Sequence, residues 1–452
     1  MKLEISNRGS LIVACTALVV GAVVVLRPGW PMPAPFSDPE PAVVAVASPA
    51  PRVVTTVRPV PAVAPVPRVR RVEPVDPVVT RVVTAITTRR ADQDVGTLIS
   101  NLRSSDATTR AHAACELGRL DAEAVGRARV ELLDLLDDGT PVEGRLCRDW
   151  DNNRWDGNRG STPGREAAIA LEELGTSVLE PLVEILEGST DTGRENAAFA
   201  LGLIESDRAI DPLTRALEGD DVGAVRARAA WSLGMIESSA AVDPLARAVR
   251  RDADAKTREQ SAWALGMIES DRGVDALNDA IEDSDARVRE QAAWGLGMIE
   301  SSAGVAGLRR AVDDADADVR EQAAWGLGMI ESPDGVEPLL RLLRDADADV
   351  REQAAWGLGM VESREGTAGL IEALRDDDAD VREQAAWGLG MIEDPAALDA
   401  LLDALEDEDE DVQEQAMWAV TQVIRNTDDL DREDRRELAE RLRRALGRDP
   451  LG

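Results

Sequence analysis

Apolar and polar positions between residues 316 and 345 follow a helical period. At about 100° per residue, Val319, Ala323, Leu327 and Ile330 fall on one side of a helix over 319–330. Asp316 precedes that helix as an N-cap, and Asp318 adds a second acid in its first turn, where the dipole favours negative charge. Ser332 and Pro333 then restart a helix, with Ser as cap and Pro at a position where no N–H is needed. The following GVEPLLRLLRD places Val336, Leu339, Leu340 and Leu343 on one face. The unit is two antiparallel helices joined by short turns. It can cover its apolar faces only by stacking on copies of itself.

Copies are present. The phrase REQAAWGLGMIES recurs with small changes, and its tryptophans are Trp231, Trp263, Trp294, Trp325, Trp356, Trp387 and Trp418, spaced by 32 residues and then by 31. A period in this range predicts a stacked repeat array. Upstream the pattern decays, with Phe199, Ile169 and Cys115 in the tryptophan slot, which brings the count to about ten units.

The unit DADVREQAAWGLGMIESPDGVEPLLRLLRD resembles a HEAT-like repeat of the short, phycobilisome-lyase type, over residues 91–428. The resemblance implies an all-α fold, a right-handed α-solenoid of about ten two-helix repeats in which one helix of each pair lines a concave surface. The AAWGL pattern is also similar to the groove helix of armadillo repeats, where Trp and an Asn four residues later hold extended peptides. Here Met235, Met267, Met298, Met329, Met360 and Met391 stand in that second place. A thioether cannot clamp a peptide backbone as an amide can, so a softer apolar contact is expected.

On the wheel that puts Ala323 at zero, Glu321, Trp325 and Met329 lie at about 160°, 200° and 240°, opposite the core. This predicts an accessible strip, with tryptophans packed as core between neighbouring helices as the alternative. Its candidate ligand-binding residues are Phe199, the seven tryptophans and six methionines named above, and Glu290, Glu321, Glu352 and Glu383. Helices packed about 8–10 Å apart would give seven tryptophans a length of roughly 60 Å, which roughly 18 residues of extended peptide would cover. An aromatic, soft and acidic strip suits a basic or apolar protein segment.

The front of the chain differs. After a basic flank (1–10), residues 11–26 are apolar and uncharged, and Arg27 follows. We read 11–27 as a single-pass membrane anchor with the repeats outside the cytoplasm, or alternatively as a cleaved signal that yields a secreted protein. Residues 28–90 hold fourteen of the 23 prolines and read as an extended, disordered linker. Residues 1–90 carry 11 basic and 5 acidic groups, whereas the rest of the chain carries 40 and 81. The arginines of 52–71 therefore make the chain's own Pro/Arg-rich linker a candidate occupant of the strip.

A net charge of −35 argues against nucleic acid as a ligand, because such binding needs a basic footprint. With one histidine, His112, no zinc spacing and no phosphate loop, no catalytic residue, cofactor or metal is expected. The irregular insertion 138–164 has acids at Asp149, Asp151 and Asp156, but Arg154 and Gly160 stand where a calcium loop needs Gly and Glu. Cys115 and Cys147 are too few for a disulfide framework, although they could pair. Residues 429–452 read as a capping helix. The expected function is a non-catalytic, membrane-tethered protein-binding scaffold, with membrane contact through the N-terminal segment only. The alternatives are a rigid structural solenoid with buried tryptophans, and a lyase-like accessory subunit of an enzyme.

Overall fold

Asp316 accepts a hydrogen bond from the Asp318 N–H and opens the helix Ala317–Met329. This helix ends where Glu331 turns left-handed at φ 51°. Ser332 then accepts from the Asp334 N–H at the head of the 3-10 turn Pro333–Gly335, which leads into Val336–Leu342. The cap, the proline position and the two-helix unit are those read from the sequence. The same order returns in Ala286–Met298, Ala348–Val361 and Ala379–Ile392, each followed by a one-turn 3-10 segment and a seven-residue helix. A computed structural model describes residues 94–142 and 161–425, and its regular structure there is entirely helical.

The core follows the expected stripe. Val319, Ala323 and Leu327 are fully buried, and Ala324 joins them. In the shorter helix Val336, Leu339 and Leu342 are buried, whereas Leu340 and Leu343 are only half-buried.

Glycine decides how closely the long helices approach. A Cβ on Gly297 would lie 2.7 Å from the Gly326 Cα, and one on Gly328 would lie 2.8 Å from the Gly357 Cα. Backbone therefore meets backbone between successive repeats, a contact that any side chain would prevent.

Each long helix from the one before Glu205 through Ala379–Ile392 ends on a left-handed glutamate. Glu205, Glu237, Glu269, Glu300, Glu331, Glu362 and Glu393 all have φ between 50° and 53°. A non-glycine residue pays about 1–2 kcal/mol in this region. Glu331→Gly is therefore expected to raise stability by about 0.5–1 kcal/mol, after the larger backbone entropy of glycine is subtracted. Urea denaturation of the full chain checks this, and a lowered midpoint would show that the Glu331 side chain itself holds the turn.

The membrane-anchored localisation expected from residues 11–27 is corrected. Among the described residues no helix is long and apolar enough to cross a membrane. The longest, Glu410–Arg425, has 16 residues and an acidic first turn, whereas a span needs about 20 apolar residues. Residues 1–93, most of the 138–164 insertion, and the expected capping helix lie outside the described residues, so the linker, the anchor segment and Cys147 do too. Cys115 is buried.

Candidate functional site

The tryptophans do not form the open strip that a single-helix projection predicts. Trp231 and Trp263 are buried, at 4% and 3% exposure, and Phe199 is buried at 6%. Trp294, Trp325, Trp356, Trp387 and Trp418 are half-buried. The reason lies in the neighbouring repeat. A Cβ on Gly297 would fall 2.6 Å from Cζ3 of Trp325, and the same holds for Gly328 with Trp356 at 2.8 Å and Gly359 with Trp387 at 2.6 Å. Each of these three indoles lays its Cζ3 edge over the second glycine of the preceding GLG and stays half-buried. The ladder is thus part core and part surface, more core at the front and more surface behind.

Within this ladder the rings meet at the front. Phe199 and Trp231 have centroids 5.2 Å apart, and Trp231 and Trp263 stack at 6.4 Å with planes 10° apart. The six methionines Met235, Met267, Met298, Met329, Met360 and Met391 are all half-buried.

Beside the rings run the glutamates. Glu259 is buried and paired with Lys256 at 2.7 Å. Glu290, Glu321, Glu352 and Glu383 are half-buried, and Glu414 is exposed. Burial, with the charges of Asp318, Glu259, Asp316 and Glu321, pushes the Glu290 carboxyl up to about 8. Glu321 is pushed up to about 7 by burial and by Asp349, Asp318, Glu352 and Asp347. Glu352 is pushed up to about 7 in the same way, by burial first and then by Asp380, the strongest of the neighbouring charges. Glu383 and Asp318 are raised too, again chiefly by burial. Neighbouring repeats therefore crowd like charges along one face. Counter-charge would relieve them. Among the described residues no three His, Cys, Asp or Glu are placed to hold a metal ion.

One polar element was not read from the sequence. Arg320 donates from Nε and Nη2 to both oxygens of Asp345, at 2.7 and 2.8 Å, and from Nη1 to the Asp314 carbonyl at 2.9 Å. Asp345 also accepts from the Asp347 N–H, and Asp347 in turn caps the next long helix. Arg194, Arg226, Arg258, Arg289, Arg351 and Arg382 repeat the pairing, with Asp220, Asp252, Asp283, Asp314, Asp376 and Asp407, at 2.6–2.8 Å. Burial alone would raise Asp345, but hydrogen bonds from Arg320 and the Asp347 N–H, with the guanidinium charge, hold it below the usual range. At Asp376 the Arg351 hydrogen bond is the largest influence, and that carboxyl is held low as well. These forks bind repeat to repeat. The signal for them is an Arg in the helix and an Asp 25 or 26 residues later, as at Arg320 and Asp345 or Arg194 and Asp220.

A family model described as HEAT repeats matches residues 179–266, 242–328, 305–369 and 367–450. The chain belongs to the HEAT-repeat family, and its fold is a HEAT solenoid, an architecture consistent with a protein-binding scaffold. No curated protein matches the sequence. Among solved structures, importin beta crystallised in ammonium sulfate is similar, at 15% identity and TM-score 0.54 over 78% of this chain and 54% of that one. Kap95p bound to RanGDP is similar at 14% identity and TM-score 0.55, over 83% of this chain and 56% of that one. At these identities the likeness is one of fold, and the chain spans just over half the length of either. The CpcE–CpcF complex of phycocyanin lyase from Nostoc sp. PCC7120 matches at 23% identity over 52% of this chain and 94% of that one, but its TM-score of 0.33 is too low to carry an argument.

Proposed function

We propose that the chain is a non-catalytic scaffold that holds a basic protein segment along the face formed by its long helices. The binding residues of this reading are the half-buried rings from Trp294 to Trp418, the methionines beside them and Glu290, Glu321, Glu352 and Glu383. The observation that carries it is the charge crowding. Carboxylates on successive repeats lie half-buried on the tryptophan-bearing helices, and burial with the charges of neighbouring acids has pushed their protonation range toward neutral. A ligand bearing positive charge and N–H donors gains most from such a face. The similar Kap95p structure, solved with RanGDP, supports protein binding by a solenoid of this kind. By charge, the arginines of residues 52–71 make that segment a competitor for the same face.

The test is a titration of the full chain with a basic peptide of about 18 residues, followed by tryptophan emission. An uncharged and an acidic peptide of equal length serve as controls. Saturable binding of the basic peptide alone, lost when Glu321, Glu352 and Glu383 are changed to Gln, supports the reading. Equal binding of all three peptides, or none, removes it.

A second reading has its own observation. Trp231 and Trp263 are buried and stacked, so the front of the ladder serves as packing. Under this reading the array is a rigid platform, and its partners contact other surfaces.

A further inference from the structure

The front repeats contain two arginines that already lie on the ladder. The Arg228 guanidinium sits over the Phe199 ring at 5.0 Å and over the Trp231 ring at 5.5 Å, with its Nη2 3.6 Å from the Glu195 carboxylate. It is only 8% exposed. On the Phe199 ring a second guanidinium, that of Arg165, sits at 4.5 Å.

Aligning the repeats on their ladder ring makes the arrangement general. Arg228 lies three residues before Trp231, and the residue three before each later ladder tryptophan up to Trp387 is a glutamine, as at Gln291 and Gln322. Glu195 lies four before Phe199, the place held by Glu290 before Trp294 and by Glu321 before Trp325. In the next repeat Lys256 pairs with Glu259 at 2.7 Å and Gln260 donates to the same carboxylate, and beyond it glutamine stands in the place of Arg228. Gln291 and Gln322, at 3% and 7% exposure, each leave Oε1 without a hydrogen-bond donor, and the Gln384 Oε1 is in the same condition. The intervals Trp294–Trp325 and Trp356–Trp387 each join a half-buried carboxylate (Glu290 or Glu352), two aromatic rings one repeat apart, and an amide oxygen lacking a donor (Gln322 or Gln384). The Arg228 site is the same set with the guanidinium already in place.

We propose that the intervals Trp294–Trp325 and Trp356–Trp387 are guanidinium subsites, so that the face selects a protein segment bearing arginine and discriminates against lysine. This rests on the proposed binding of a basic segment and states which cation it takes. A planar guanidinium can stack on an indole while donating to both the glutamate and the glutamine oxygen. An ammonium supplies charge without the plane and is more strongly hydrated. Arg228 marks the end of the ligand-accepting run, because it fills its own interval.

The experiment titrates the full chain with two peptides of equal length and charge, alternating Arg-Ala and alternating Lys-Ala, and reads tryptophan emission at fixed salt. The Arg peptide is expected to bind roughly tenfold more tightly, from stacking and fork geometry. Arg228→Gln, which installs the residue of the later repeats, is expected to tighten the Arg peptide further by freeing one more interval. Equal affinity for the two peptides would mean that charge alone is recognised. That result overturns the guanidinium subsites and leaves the proposed function standing. Binding of neither peptide overturns both.

Discussion

Replacing Gly297 by alanine is expected to destabilise the solenoid by about 1–3 kcal/mol, although alanine is the better helix former by about 1 kcal/mol. The new methyl would lie 2.6 Å from Cζ3 of Trp325 and 2.7 Å from the Gly326 Cα, so both a ring and a backbone must move. The backbone has no room to yield, because Ala324 and Leu327 on the same helix are fully buried. A control carries the opposite sign. Gly188 and Gly219 close the helices Leu179–Gly188 and Ile210–Gly219, and a Cβ on either meets nothing within 4 Å. Alanine at those positions should be neutral or stabilising by a few tenths of a kcal/mol. Urea denaturation followed by circular dichroism separates the cases. A neutral Gly297→Ala would mean that the long helices do not approach through glycine, and with that the half-burial of the tryptophans would lose its explanation.

Stability should be greatest on the acidic side of neutrality and should fall as the solution becomes alkaline. Two sets of carboxylates act in opposite directions. The aspartates forked by arginine, such as Asp345 and Asp376, have folded values below the ordinary 3.8. Their contribution is present above that value and is lost as pH falls through the depressed one. The strip glutamates are reversed. Glu290 rises from 4.5 to about 8, and Glu321 and Glu352 to about 7. The folded state then holds more protons than the unfolded chain, and this contribution, full below 4.5, is lost as pH rises through 7 and 8. The thermal midpoint is therefore expected to drop between about pH 5 and pH 8. Glu290→Gln should recover about 2 kcal/mol of that loss at the alkaline end, allowing for water at a half-exposed carboxylate. A midpoint that is flat or rising over this range would show that the glutamates are not crowded as described. The same variant should weaken a basic ligand, so stability and binding should move in opposite directions at this residue.

How much of this could be read from the chain alone depended on the range of the interaction. The Asp316 cap, the Ser332–Pro333 restart and the Val319, Ala323 and Leu327 stripe are settled within one helix or one turn, and the period declared the array. Tryptophan burial stood only as the alternative reading because the wheel treats Trp325 as if its helix stood alone, whereas Gly297 of the previous repeat receives the ring. The Arg320–Asp345 fork escaped because its partner lies 25 residues away, at the far end of the unit, beyond the reach of a single-helix pattern. The left-handed glutamates ran against propensity, because glycine is the usual occupant and Glu331 carries no local sign of its conformation. The glutamates themselves were recognised as a strip. Their raised protonation range depends on aspartates of neighbouring repeats, such as Asp349 beside Glu321, and needed the structure.

The central claim is that the ligand lies on the long helices. The measurement that tests it most directly is photo-crosslinking of a bound basic peptide to the full chain, with the attachment points read by mass spectrometry. Attachment at the Trp, Met and Glu positions of Ala286–Met298, Ala317–Met329, Ala348–Val361 and Ala379–Ile392 is the predicted result. Attachment instead in the cleft between the short helices, at Leu340, Leu343, Gly369 and Glu372, would contradict it and would leave the tryptophan ladder as packing.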